Sequence, residues 1–274
     1  NVVVVDKATP KERGINFPAS IEFQHGDLRN TTVAKNAVQG INTIIHLAAN
    51  IGSLTYMHDH QAEFMQEPSA IDAMLYPCAA EAGVKKIIYS SSSMVFQHSL
   101  KFPYIEADLQ NVPAPTNVYG LSKLVGEYFC KSYYGQFGLE YVIIRYHNIF
   151  GPGEDSKGEK PGDIHVIPAL IEKVLGNQYP LEILGGVDAT RPFTYVDDAV
   201  EAIFMIFKKA FEGDERVINN DFNIGPKEAT NILDLAKIIW KLLGDGRPFK
   251  YVVKETKAIT AIRREMDPIK INTV

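Results

Sequence analysis

A chain of 274 residues with 46% hydrophobic and 22% charged side chains is long enough to bury a large core and too apolar to be disordered. Its 28 basic and 33 acidic residues leave a formal charge of -5, and no Lys/Arg-rich run is present to track a phosphate backbone, which argues against nucleic acid as the main partner. Two cysteines, Cys78 and Cys130, can build neither a disulfide framework nor a paired Cys/His zinc site, so a reducing, cytoplasmic setting is expected, and the early apolar run Val2 to Val5 falls far short of the roughly 20 residues of a membrane helix.

Val2 to Asp6 is a β-branched run closed by an acid, the pattern of a buried strand. Asn42 to Ala49, Lys85 to Ser92 and Glu140 to Tyr146 read the same way, each followed by a turn and a longer helical pattern. Helices are predicted over Thr31 to Val38, Met57 to Ala82, Val118 to Phe137, Ile164 to Leu175, Val196 to Phe211 and Asn231 to Leu243. Strands alternating with helices predict an α/β fold with a doubly wound parallel sheet. Gly83, Gly138 and Gly176 stand where left-handed helix caps are wanted, and Pro68 and Pro77 should interrupt the long helix. After Gly151 come a charged loop to Asp163 and helices mixed with short strands at Leu181 to Leu184 and Lys250 to Val253. A boundary near residue 150 is therefore predicted, with a smaller α/β region over 151–274 and the segment around 186–211 placed to pack back on the first domain.

The strongest chemical signal is Tyr119-Gly120-Leu121-Ser122-Lys123 at the start of a predicted helix. Residues four apart share a helix face, and a fixed cation beside a phenol favours the phenolate, so the pair can exchange a proton with a substrate hydroxyl. By itself this spacing also describes a surface pair. The strand Lys85 to Ser93 changes the balance, because it delivers a serine cluster to the carboxyl end of a parallel strand, where open α/β sheets place ligands.

These motifs, with Gly26-Asp27-Leu28, His46-Leu47-Ala48-Ala49, Arg145 to Pro152 and Thr190 to Asp198 in this order, resemble the extended short-chain dehydrogenase/reductase family, the nucleotide-sugar epimerases and dehydratases. The resemblance implies a Rossmann-like dinucleotide-binding domain over 1–150 and a substrate region over 151–274. It implies Tyr119 as general acid/base, Ser92 as the hydroxyl that hydrogen-bonds the substrate oxygen, and Lys123 on the nicotinamide ribose. NAD would be held by Asp6, Asp27, Leu28, Leu47, Ala48, Ala49, Ser90, Tyr119, Lys123 and His147. An acid at Asp6 favours NAD, since a 2′-phosphate would meet a carboxylate. A nucleotide-diphosphate sugar would be met by Asn148, Lys157, Arg191 and one of Arg263 and Arg264, of which Arg263 is taken as the contact. The family resemblance also implies a homodimer through the helices near 57–82 and 118–137, both richer in Tyr, Phe, Met and Leu than one core-facing stripe needs.

Within that family the chain looks most like the GDP-mannose 3,5-epimerases, through Ala49 to Leu54, Arg145 to Pro152 and Lys157. It departs from them at Met94, where that subgroup carries a proton-transferring cysteine. Ser93-Met94 also replaces the Asp-Glu pair of 4,6-dehydratases, which disfavours dehydration. The family asparagine on the helix after Ala49 falls near Pro68. The Gly-x-x-Gly-x-x-Gly turn of the dinucleotide fold and the strand before it are not in the sequence, so the chain is expected to be part of a longer protein. An NAD-dependent epimerase working through carbon 4 is the leading expectation. The alternatives are a non-catalytic nucleotide-sugar-binding scaffold and an NADPH-dependent reductase.

Overall fold

The computed structural model describes residues 1–52, 54–154, 164–255 and 263–274. The chain opens with β1 (Val2–Asp6), α1 (Pro10–Arg13), β2 (Ile21–His25), α2 (Thr31–Ala37) and β3 (Thr43–His46). It continues through α3 (Leu54–Asp59), α4 (Gln61–Glu81), β4 (Lys86–Ser92), α5 (Val118–Phe137) and β5 (Glu140–Tyr146). Then follow β6 (Ile149–Phe150), α6 (Val166–Leu175), β7 (Leu181–Leu184), β8 (Thr190–Arg191), β9 (Thr194–Tyr195), α7 (Val196–Glu212), β10 (Asn220–Ile224), β11 (Thr230–Asn231), α8 (Ile232–Leu243) and β12 (Tyr251–Lys254).

β3, β4, β5 and β10 form a parallel sheet in the order β10-β5-β4-β3, while β1 and β2 form a separate two-stranded parallel sheet. Alternate residues of β4 point to opposite faces. Ile87 and Tyr89 meet Leu75, Tyr76, Ala79 and Cys130 from α4 and α5, whereas Ile88 meets Ile206 and Ala210 from α7 with Phe222 and Ile224 from β10. Helices thus cover both faces, as a doubly wound α/β arrangement requires. A second core joins Leu170, Val174, Leu181, Ile183, Leu235, Ile239 and Trp240 of α6, β7 and α8. Both α7 and β10 lie against the central sheet, so the sheet gathers residues from well beyond position 150.

Pro68 and Pro77 do not interrupt α4, which runs from Gln61 to Glu81; the break falls at His60, between α3 and α4. Pro68 belongs to the buried face of α4 with Phe64, Leu75 and Tyr76, and packing of that face outweighs the hydrogen bonds the two prolines cannot make. Gly83 and Gly138 take the left-handed conformation at φ 75° and 69°, but after α6 that conformation passes to Asn177 at φ 58°. On α4 the large apolar side chains are consumed within the chain, whereas α5 leaves Tyr128, Tyr134 and Phe137 exposed. Val2 of β1 and Ile45 of β3 are also exposed. Among the described residues no helix is long and apolar enough to cross a membrane.

Candidate active site

The first turn of α5 is set by Asn117, whose side chain accepts the amides of Tyr119 at 3.0 Å and Gly120 at 3.2 Å. Two glycines let the helix lie close to β4. A Cβ at Gly120 would stand 2.7 Å from the Met94 carbonyl oxygen, and one at Gly126 only 2.0 Å from the Tyr89 hydroxyl. This docking aligns Tyr119, Lys123 and Glu127, one helical turn apart, with three consecutive serines of β4. The Ser92 hydroxyl acts on the Tyr119 phenol and favours its ionised form, the Lys123 ammonium donates to the Ser90 carbonyl at 2.7 Å, and the Ser91 hydroxyl donates to Glu127 Oε1 at 2.6 Å. The Ser92 hydroxyl also accepts the Met94 amide at 3.2 Å.

Glu127 was not singled out from the sequence. It holds Arg145 through two hydrogen bonds of 2.7 Å, and Arg145 reaches Asp221 of β10 at 2.8 Å. Lys270 closes the chain of charges onto Asp221 at 2.8 Å. Glu127 and Arg145 are both fully buried, so each charge depends on the other. The signal was present as a third polar residue on the Tyr119/Lys123 stripe.

Lys123 was expected to lower the Tyr119 pKa. In the structure its nitrogen lies 5.9 Å from the centre of the Tyr119 ring and is committed to Ser90. Burial raises the Tyr119 pKa, and the influences that pull it back are the Ser92 hydrogen bond and the positive charge of Arg264. The buried Lys123 is itself pulled down to about 8 by loss of water, with Asp72 acting in the opposite direction.

Arg263 does not join this cluster. It is exposed, paired with Glu265 at 2.8 Å and laid over the Phe102 ring at 5.4 Å. The next residue, Arg264, turns inward, donates to the Met94 sulfur and keeps a buried Nε without a hydrogen-bond partner. Backbone bonds of Tyr104 to Glu265 and Asp267 fasten this C-terminal segment at 3.0 Å and 2.9 Å. Arg191 is also buried, with one nitrogen on the Thr190 carbonyl at 2.7 Å, and burial, followed by the charge of Arg264, pushes its pKa down. Guanidinium groups remain charged in proteins, and the buried Arg264 with its unpartnered Nε can take an anion on its forked donors.

Tyr104, likewise unforeseen, stacks on Phe96 at 4.3 Å, hydrogen-bonds Ser93 and lies 3.3 Å from His147 Nε2. Burial together with Arg264 and Arg191 holds the His147 pKa well below the imidazole range, so the ring is neutral, and its Nδ1 is buried without a partner. Asn148 spends its amide on the Pro192 carbonyl at 3.0 Å. Lys157 lies outside the described residues.

The groups expected to meet NAD occupy the carboxyl ends of β1, β3 and β4, and their fit is uneven. Leu47 is exposed, and Ala48 and Ala49 are half-buried just past the carboxyl end of β3. Asp6 uses one oxygen on the Ala8 amide at 2.7 Å. With the orphaned nitrogen of His147, these positions suit a dinucleotide. Asp27, by contrast, has both carboxylate oxygens on Arg29, and Leu28 packs into the core below α4.

A profile of the NAD dependent epimerase/dehydratase family matches residues 1–225. GDP-mannose 3,5-epimerase from Arabidopsis thaliana is 28% identical over 222 residues, which are 80% of this chain and 56% of that protein. The chain therefore spans about half the length of that relative. A putative UDP-glucose 4-epimerase from Methanocaldococcus jannaschii is 29% identical over 249 residues, 89% of this chain and 75% of the other. Among solved structures, the Thermotoga maritima UDP-glucose 4-epimerase with UDP-glucose superposes with a TM-score of 0.82 at 23% identity, covering 99% of this chain and 83% of its own, a likeness of fold. By the extent of the profile match, the chain belongs to the NAD dependent epimerase/dehydratase family.

Proposed function

We propose that this protein is an NAD-dependent nucleotide-sugar epimerase acting by transient oxidation at carbon 4 of the sugar. The observation that carries the reading is the convergence of Tyr119, Ser92 and Lys123 on one side with the buried Arg264 and Arg191 on the other. One side can move a proton at a hydroxyl; the other can hold a diphosphate.

Tyr119 Oη takes the proton from the carbon 4 hydroxyl, and Ser92, whose hydroxyl favours the phenolate, shares the same substrate oxygen. NAD, when bound, supplies the hydride acceptor and later the donor. Lys123 is placed to meet the nicotinamide ribose, and Asp6 the adenosine ribose. Arg264 and Arg191 anchor the diphosphate, so the sugar is held from its nucleotide end and can present either face of carbon 4. Association as a homodimer through the helices near 57–82 and 118–137 belongs to the same reading, with the exposed Tyr128, Tyr134 and Phe137 of α5 on that surface; sedimentation at micromolar concentration tests it.

Incubation of the protein and NAD with UDP-, GDP- and dTDP-hexoses, followed by separation of the carbon 4 epimers, tests the function. Interconversion is the expected result. A protein that binds nucleotide sugars without turning any over would favour the scaffold reading.

A further inference from the structure

Lys123 is only 4% exposed, and its ammonium donates to a carbonyl. A carbonyl accepts a hydrogen bond but does not cancel a charge, and an ammonium taken out of water needs a counter-charge or sheds its proton. Glu127, one turn along the same face, is already held by Arg145 and Ser91. Across the helix pair stands Asp72 of α4, 2% exposed, with Oδ1 at 2.8 Å from His46 Nε2 and Oδ2 buried without a hydrogen-bond partner. The His46 ring and the Lys123 nitrogen both lie 5.5 Å from the centre of the Tyr89 ring, one arriving from β3 and the other from α5. Four elements thus bring His46, which holds the half-satisfied Asp72 carboxylate, and the buried Lys123 ammonium to the same aromatic side chain.

We propose that Asp72 is the counter-charge that keeps Lys123 an ammonium beside Tyr119, and that His46 holds Asp72 in that place. Asp72 is a positioning residue, acting through Lys123. The inference rests on the reading of Lys123 as part of the proton-transfer site. The titratable groups facing the pair are His46 on β3, Tyr76 on α4, Tyr89 on β4, and Tyr119, Glu127 and Cys130 on α5. Burial raises the pKa of Tyr76, Tyr89, Tyr119 and Cys130, which leaves them uncharged near neutrality. Glu127 has its own cation. Asp72 is the charge that bears favourably on Lys123.

The test is a pH titration of the Lys123 side chain by NMR in protein labelled with 13C at the lysine ε carbon, the signal assigned by its loss in Lys123→Met. In Asp72→Asn the Lys123 titration should move down by about one pH unit or more, the size of effect an adjacent opposite charge exerts. Asp72→Glu should restore most of it. Asp72→Ser is read the same way and covers a folding failure of the amide variant. An unmoved Lys123 titration in a folded, uncharged variant overturns the proposal. The readout needs no turnover, so a correct shift in a protein that epimerises nothing would count against the proposed function and leave the role of Asp72 standing.

Discussion

Arg264 supplies the positive charge that bears on the Tyr119 phenol, although the two residues lie far apart in the sequence. The guanidinium arrives on a C-terminal segment stitched to Tyr104, while Lys123, on the same helix as Tyr119, is turned toward the Ser90 carbonyl. A cation that binds the substrate's anion would then also set how readily the catalytic phenol gives up its proton. Bringing a diphosphate onto Arg264 would weaken that pull, so substrate binding and proton transfer are coupled through one side chain.

The coupling has a direction that pH can read. As a base Tyr119 must lose its proton, and burial holds its pKa above the ordinary phenol value, so kcat/KM should rise with pH. Removing the Arg264 charge as Arg264→Gln takes away a stabiliser of the phenolate, raises that pKa further and should move the rising limb to higher pH. Arg263→Gln, at an exposed residue paired with Glu265, should leave the limb where it was. Matching shifts in the two variants would contradict the assignment.

Tyr119→Phe should lower turnover by about 10²–10⁴-fold, the contribution of a positioned acid/base group. Its ring packs edge-on against Phe64 at 6.2 Å, a contact phenylalanine retains, and only the phenolic oxygen is lost. The melting temperature should therefore change little. A variant keeping more than half of the parent rate would remove Tyr119 from the reaction.

Glu127→Gln tests the buried ion chain. It leaves Arg145 fully buried with half of its carboxylate partners gone, a loss of about 3–5 kcal/mol in comparable buried pairs. Chemical denaturation would measure it. The same chain predicts acid sensitivity: Arg145 and Lys270 hold the Asp221 pKa below the usual carboxylate value, so its stabilising effect is complete above that ordinary value and is lost as pH falls through the lowered one. Replacing Asp221 with Asn should flatten this part of the stability curve.

Local pattern made the strands of the sheet interior, the span of α5 and the shared helix face of Tyr119 and Lys123 legible, because each rests on periodicity or on spacing within one element. β10 was not legible, since three of the five residues in Asn220-Asp221-Phe222-Asn223-Ile224 are polar and Asp221 and the Asn223 amide find their partners far away in sequence, at Arg145, Lys270 and Glu106. Choosing between Arg263 and Arg264 required the parallel bridges of their segment to Thr190 and Tyr104, which fix which side chain turns inward. The effect of Lys123 on Tyr119 was misread for a similar reason: four-residue spacing puts two side chains on one face, but the rotamer of a long lysine is decided by the carbonyl it finds. The prolines of α4 show tertiary burial overriding a local preference.

The final prediction concerns Met94, which stands where the GDP-mannose 3,5-epimerases resembled by this chain carry a cysteine. Inverting carbons 3 and 5 of a keto sugar requires an acid and a base on opposite faces, since each inversion removes a proton from one side and returns one to the other. A thioether can do neither, and the Met94 sulfur is occupied as an acceptor for Arg264. The neighbouring hydroxyl, Ser93, is buried, and an ordinary hydroxyl is a far weaker base than a thiolate. Reaction in deuterated water should therefore leave carbons 3 and 5 of GDP-mannose unlabelled, and any inversion should occur at carbon 4 without solvent deuterium. Introducing the thiol as Met94→Cys tests the same point from the other side. If exchange at carbon 3 or 5 appears only in that variant, the side chain at position 94 decides which epimerisation the fold performs; label at those carbons in the parent protein would overturn the prediction.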